Sequence, residues 1–141
     1  MNTKKFWTAV VAVFVILEIT NYLVHGVILS SVYASEEVKQ VFRPMEEIIS
    51  KMWVMWVADF VWSFFFVFIF VKGYQNKGIL EGLRYGIYIG LFFSFVYAYG
   101  SYAMYPLPYY LIFEWFVIGL MQSILLGVIA ALIYKPKEAA A

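Results

Sequence analysis

Four apolar runs constrain this chain more than any other feature: residues 6–29, 52–71, 83–104 and 109–134. Each reaches the roughly 20 helical residues that cross a ~30 Å hydrocarbon layer. The alternation of apolar and polar residues that a membrane barrel needs is absent. In lipid a backbone must satisfy its own hydrogen bonds, so these runs are read as helices. With 65% of its 141 residues hydrophobic and 13% charged, the chain has too little polar surface to clothe a water-soluble domain of this size. The fold class is therefore all-α, an integral membrane four-helix bundle forming a single transmembrane domain over residues 1–141.

The first run follows Lys4 and Lys5 and precedes Val32-Tyr33-Ala34, a small-residue pattern that a signal peptidase could cut. Against cleavage, a signal core has roughly 7 to 15 apolar residues, and this run is longer and carries Glu18, Asn21 and His25. A retained first helix is expected.

Between the first two runs, residues 35–51 form an amphipathic segment. Val38, Val41, Phe42, Met45, Ile48, Ile49 and Met52 recur at steps of three and four, with Ser35 as a candidate N-cap and Glu36 and Glu37 beside the positive helix end. The spacing predicts an interfacial helix over 35–51, bent near Pro44. The other connections, 72–82 and 105–108, are short, and two prolines force the second to turn.

Composition also excludes several functions. A net charge of +1 supplies no dense basic face, so nucleic acid is not an expected partner. The absence of cysteine removes disulfides, thiolate catalysis and cysteine-bound iron–sulfur clusters. Serines such as Ser63, Ser94 and Ser123 lie in apolar helices without a nearby histidine and acid pattern, which argues against conventional enzyme chemistry. No cofactor is predicted.

Orientation follows lysine and arginine, which are retained on the cytoplasmic side. Lys4, Lys5, Lys72, Lys77, Arg84, Lys135 and Lys137 fall on one side, against Lys39, Arg43 and Lys51 on the other. Both termini are thus expected in the cytoplasm, in a bacterial or archaeal cell membrane.

Small residues mark where helices meet, because in lipid close backbone approach is what holds them together. Gly78, Gly82, Gly86, Gly90, Ser94 and Ala98 recur at every fourth position, as do Gly119, Ser123, Gly127 and Ala131. These stripes are expected to face other helices, with each other as candidate partners. A homodimer seam is the alternative use.

The candidate functional residues are the polar groups inside the runs, since a charge at bilayer depth costs at least ~2.5 kcal/mol and normally faces protein or water. In the first helix Glu18, Asn21, Tyr22 and His25 stand at i, i+3, i+4 and i+7, on one face of an α-helix. At 1.5 Å per residue, His25 and Asn21 lie roughly 6 and 12 Å below Leu29, Asp59 roughly 10 Å below Met52, and Glu114 roughly 8 Å below Tyr109. Glu18 is near mid-depth, and Gln122 near the midplane is the strongly polar residue left over. Three helices thus bring polar side chains to the outer half of the bundle. Tyr22, Trp56, Trp62, Tyr110 and Trp115 lie close enough to the acids to wall the site, while Trp53, Tyr105, Tyr109 and Tyr110 are read first as interfacial belt.

Three readings follow from this cluster. The first is a site that binds or translocates a proton, a cation or a small organic solute, with Glu18 and Asp59 changing protonation. The second is structural: pairs such as His25 with Glu114 and Asn21 with Asp59 fix helix register in a subunit of a larger membrane complex. The third, and least supported, is a metal held by His25, Asp59 and Glu114, since the paired Glu-x-x-His motifs of di-iron bundles are missing.

Overall fold

The computed structural model describes residues 2–135. Lys137, counted above for orientation, lies outside the described residues. The chain is all-helical, with four helices long and apolar enough to cross a membrane: Thr3–Ile28, Met52–Lys72, Ile79–Met104 and Tyr109–Tyr134, here the first to fourth spans. Two of them change winding partway. The first is α-helical to Asn21 and π-helical over Tyr22–Ile28, and the third is π-helical over Leu91–Phe95. Such wide turns shift every residue beyond them around the helix axis.

The fourth span is the hub, packing against both the third and the first, while the second packs mainly on the first. The third and fourth meet along glycine. A Cβ placed on Gly82 would run into the Gly127 carbonyl and stand 2.6 Å from Ala131 Cβ; one on Gly86 would stand 2.6 Å from Ile124 Cα; and one on Gly90 would stand 2.8 Å from Leu120 Cδ1. Gly119 meets the Ser94 side chain in the same way. Backbone-to-backbone approach of this kind gives dispersion contact over a long seam where lipid offers no hydrophobic drive. Gly78 lies off the seam, with no neighbour within 4 Å of its missing Cβ, and its φ of 70° turns the connection into the third span.

Two apolar cores follow from this arrangement. The larger lies toward the termini and joins Phe6, Val10, Val13 and Leu17 to Phe66, Val67, Phe70, Leu126 and Ala130. The smaller lies at the opposite end, where Leu29 and Val38 cover Ala98, Leu107, Leu111 and Ile112. The terminal end is further tied by Tyr85, whose hydroxyl donates to the Phe66 carbonyl at 2.6 Å, and by Glu81. Glu81 folds back to accept from the backbone N–H groups of Gln75 (2.6 Å) and Lys77 (3.0 Å). That contact fastens the preceding connection to the start of the third helix, which begins at Ile79, earlier than the apolar run suggests.

The connection at the other end departs from expectation. Residues 34–43 form turns, and the interfacial helix is confined to Met45–Ser50. Pro44 explains the break, because it disfavours helical backbone at the residue before it and starts the new helix well. Ser35 does not cap a following helix; its hydroxyl donates back to the Val32 carbonyl at 2.7 Å. Val38 is drawn down into the smaller core, while Met45 and Ile49 stay exposed.

Candidate functional site

Between the two cores runs a line of polar side chains drawn from three spans. Gln122, on the fourth, donates through Nε2 to Thr20 Oγ1 (2.5 Å) and Asn21 Oδ1 (2.9 Å) on the first. Asn21 Nδ2 donates in turn to Asp59 Oδ2 on the second, at 3.2 Å. The two amides point the same way, so their dipoles add and end on the carboxylate of Asp59. The Glu18 carboxyl adjoins that of Asp59, and its Oε1 is buried without a hydrogen-bond partner. Among the described residues the ion pairs are Lys39–Glu36, Arg43–Glu47 and Lys51–Glu47, all in the connection between the first two spans. The intramembrane acids have no lysine or arginine beside them.

A second cluster stands nearer the end of the bundle. The Tyr33 hydroxyl lies 2.6 Å from His25 Nδ1 and accepts from Trp115 Nε1 at 2.9 Å. With one lone pair engaged by Trp115, the hydroxyl keeps its proton for His25. Phe42 packs edge-on against Tyr33 at 5.7 Å between centroids, so the turns of residues 34–43 are fastened to the first and fourth spans here. Burial pushes the Tyr33 phenol up to about 12, the Trp115 hydrogen bond opposing the shift.

Of the residues singled out in the sequence, Glu18, Asn21 and Asp59 come together. His25 is within electrostatic reach of Asp59, but its hydrogen-bond partner is Tyr33 rather than Glu114. Glu114 is half-buried, and its Oε2 is buried without a partner. Tyr22 does not join them: it is 70% exposed. Tyr22 itself is still held by α winding, its backbone N–H bonded to the Glu18 carbonyl, and its ring lies against its own helix at Gly26 instead of turning inward. Nor do His25, Asp59 and Glu114 form a metal-binding group; among the described residues no three histidine or acidic side chains are placed to hold an ion.

Of the expected aromatic walls, Trp115 is engaged by Tyr33, Trp62 stacks on Phe66 at 4.7 Å, and Trp56 and Tyr110 are exposed. Thr20 and Tyr33 were not singled out as site residues. Thr20 carried the weaker signal, because a threonine hydroxyl ordinarily satisfies itself on its own helix, as this one also does on the Ile16 carbonyl at 2.9 Å. Tyr33 follows the apolar run and gives no sign in the sequence that the chain folds back over the spans. No protein-family model matches the chain, and no curated protein or solved structure is detectably similar to it.

Proposed function

We propose that this integral membrane protein binds an exchangeable proton or monovalent cation at Glu18 and Asp59, between the first and second spans. The observation that carries the reading is two adjoining carboxyls inside the bundle with no lysine or arginine partner among the described residues, His25 being the one base within electrostatic reach of Asp59 among them. Two carboxylates side by side in a medium of low polarity repel strongly, so a proton or another cation must lie with them. The site is also asymmetric. Asp59 receives the Asn21 hydrogen bond, while Glu18 Oε1 has no donor. The exchangeable proton or cation is assigned to the pair, with Glu18 the carboxyl less constrained by neighbouring donors.

Infrared difference spectroscopy of the protein in lipid tests this directly. A protonated-carboxyl band should titrate in the wild type and disappear in Glu18→Gln. An unchanged band in that variant would refute the assignment.

The hydrogen bonds from Gln122 through Asn21 to Asp59 favour a second reading, in which the polar line only fixes helix register within a larger assembly. Asp59→Asn separates the two, because asparagine still accepts from Asn21 but carries no charge. A purely structural line tolerates it, whereas an ion site loses exchange.

The distribution of lysine and arginine supports cytoplasmic termini and puts the site in the outer half of the membrane. The chain has no cysteine, so single cysteines at Lys39 and Lys77 can be labelled from each side. Labelling of both from one side would reverse that orientation.

A further inference from the structure

The polar line lies where the bundle forks. In the second span Ser63, Phe66, Val67 and Phe70 are buried, whereas every residue from 53 to 58 is exposed. Six consecutive residues exceed one and a half helical turns, so that stretch is uncovered on all of its faces. Asp59 is the first partly covered residue beyond it. Trp62, less than one turn further on, reaches the third span through Phe93, with ring centroids 6.4 Å apart. Around that contact the third span carries exposed side chains: Leu91, Phe92, Phe93, Phe95, Val96 and Tyr97 are each at least 45% accessible about its π turn. The end of the second span thus stands clear of the bundle on one side of Asp59, while the third span there stays packed on the fourth through Tyr97 and Trp115.

We propose that this fork is the entrance to the acid pair, and that it admits a hydrophobic organic ammonium or phosphonium ion dissolved in the bilayer. The inference rests on the reading of Glu18 and Asp59 as an exchangeable cation site. Charge selects the occupant's sign, since among the described residues the acids at the base of the fork have no lysine or arginine partner, and the base nearest to Asp59, His25, is hydrogen-bonded to Tyr33. The lining selects its body: Trp56, Phe93 and Tyr97 offer large apolar area and π faces that attract a cation when water is excluded. Access selects its solubility, because an opening at hydrocarbon depth favours solutes that partition into lipid over strongly hydrated ions. As the ligand's single positive charge arrives, the pair releases its proton, and the net charge of the site is unchanged.

The test uses the full chain in nanodiscs of neutral phosphatidylcholine, with two probes of equal charge and opposite solubility, tetraphenylphosphonium and tetramethylammonium. Tetraphenylphosphonium should bind saturably, release a proton on binding, and lose at least about tenfold in affinity in both Asp59→Asn and Glu18→Gln, roughly 1.4 kcal/mol. Tetramethylammonium should compete only at far higher concentration. Equal competition by tetramethylammonium would overturn entry from lipid and leave a water-accessible cation site. If neither probe binds while the carboxyl band still titrates in the infrared, the substrate class is wrong and the proton site stands. Loss of that titration as well removes both. A single cysteine at Val57, on the exposed prong, completes the test. Its spontaneous disulfide in the bilayer would show that a second copy of the chain fills the fork, and would also overturn the proposal.

Discussion

The two halves of this bundle are held together by different means. Toward the termini, the third and fourth spans touch through Gly82, Gly86 and Gly127, so closely that backbone meets backbone, and aromatic rings from Phe6, Phe66, Phe70 and Tyr85 fill the remaining space. Toward the connections, both π turns occur, side chains of three spans face outward, and order rests on hydrogen bonds from Tyr33 and Asn21 and on a small second core. The difference teaches where a polar site can be placed. A seam without side chains has no room for a ligand and cannot relax, whereas a half held by a few directional bonds can rearrange around one. Glu18, Asp59 and Asn21 stand at the boundary, fixed from one side and open on the other.

The largest effect should come from filling the seam. Gly86→Leu sets a branched side chain against the backbone of Ser123 and Ile124. Because both obstacles are main chain, the helices must separate, at a cost of about 3 kcal/mol, the upper end of overpacking penalties. Heating followed by size-exclusion chromatography should find little surviving monodisperse protein. Gly100→Leu is the matched control in the open half, where nothing lies within 4 Å of the missing Cβ. If the two variants survive heating equally, the contrast between the halves is false.

Next in size is the tie across the boundary. Asn21→Ala removes both the donor to Asp59 and one of the two acceptors of Gln122, leaving the carboxylate without its donor and the amide with Thr20 alone. Unsatisfied buried polar groups typically cost about 1–3 kcal/mol, and thermal stability should fall accordingly. Asp59→Asn keeps the hydrogen bond and should change stability far less. A loss as large in Asp59→Asn as in Asn21→Ala would show that charge, rather than the hydrogen bond, holds the line in place.

These contrasts also mark what the sequence can carry. The four spans are legible because a hydrocarbon layer imposes length and apolarity on any helix that crosses it. Glycines at every fourth position are visible in the same way, though which residues they meet is a property of the folded chain. Glu18, Asn21 and Asp59 stand out because polar residues are scarce in such runs. What binds them was harder to see. The change to π winding beyond Tyr22 has no local sequence signature, and α periodicity alone does not reveal that the Tyr22 ring stays on the outside. Amphipathic spacing over residues 35–51 looks helical, yet Pro44 divides it and Val38 is captured by a tertiary core.

The fastening at the connection end should fail in alkali. Tyr33 lies beyond the first span, and its phenol ionises only near 12 when folded, compared with an ordinary value of 10. The unfolded chain therefore loses this proton first. The stabilisation is fully present below about pH 10 and is lost as pH rises toward 12. Tyr33→Phe gives up the His25 and Trp115 hydrogen bonds, about 1–2 kcal/mol, and should remove this component of the alkaline loss. An identical decline above pH 10 in the variant would assign it to other groups.

The smallest expected effect is the most informative about the boundary itself. Ser63 lies one helical turn from Asp59, the first fully buried residue of the second span on the tight side, and its hydroxyl has no hydrogen-bond partner. A buried hydroxyl without a partner is unfavourable, whereas alanine fits the same space with no polar atom to satisfy. If the hydroxyl serves only as filling, Ser63→Ala should raise stability by about 1 kcal/mol and leave cation exchange at Glu18 and Asp59 unaltered. If it belongs to the ion site, the gain in stability is offset and tetraphenylphosphonium binding weakens, because the oxygen left unpaired in the empty site is the one that contacts the bound ion. The two outcomes place the base of the fork on opposite sides of a single helical turn.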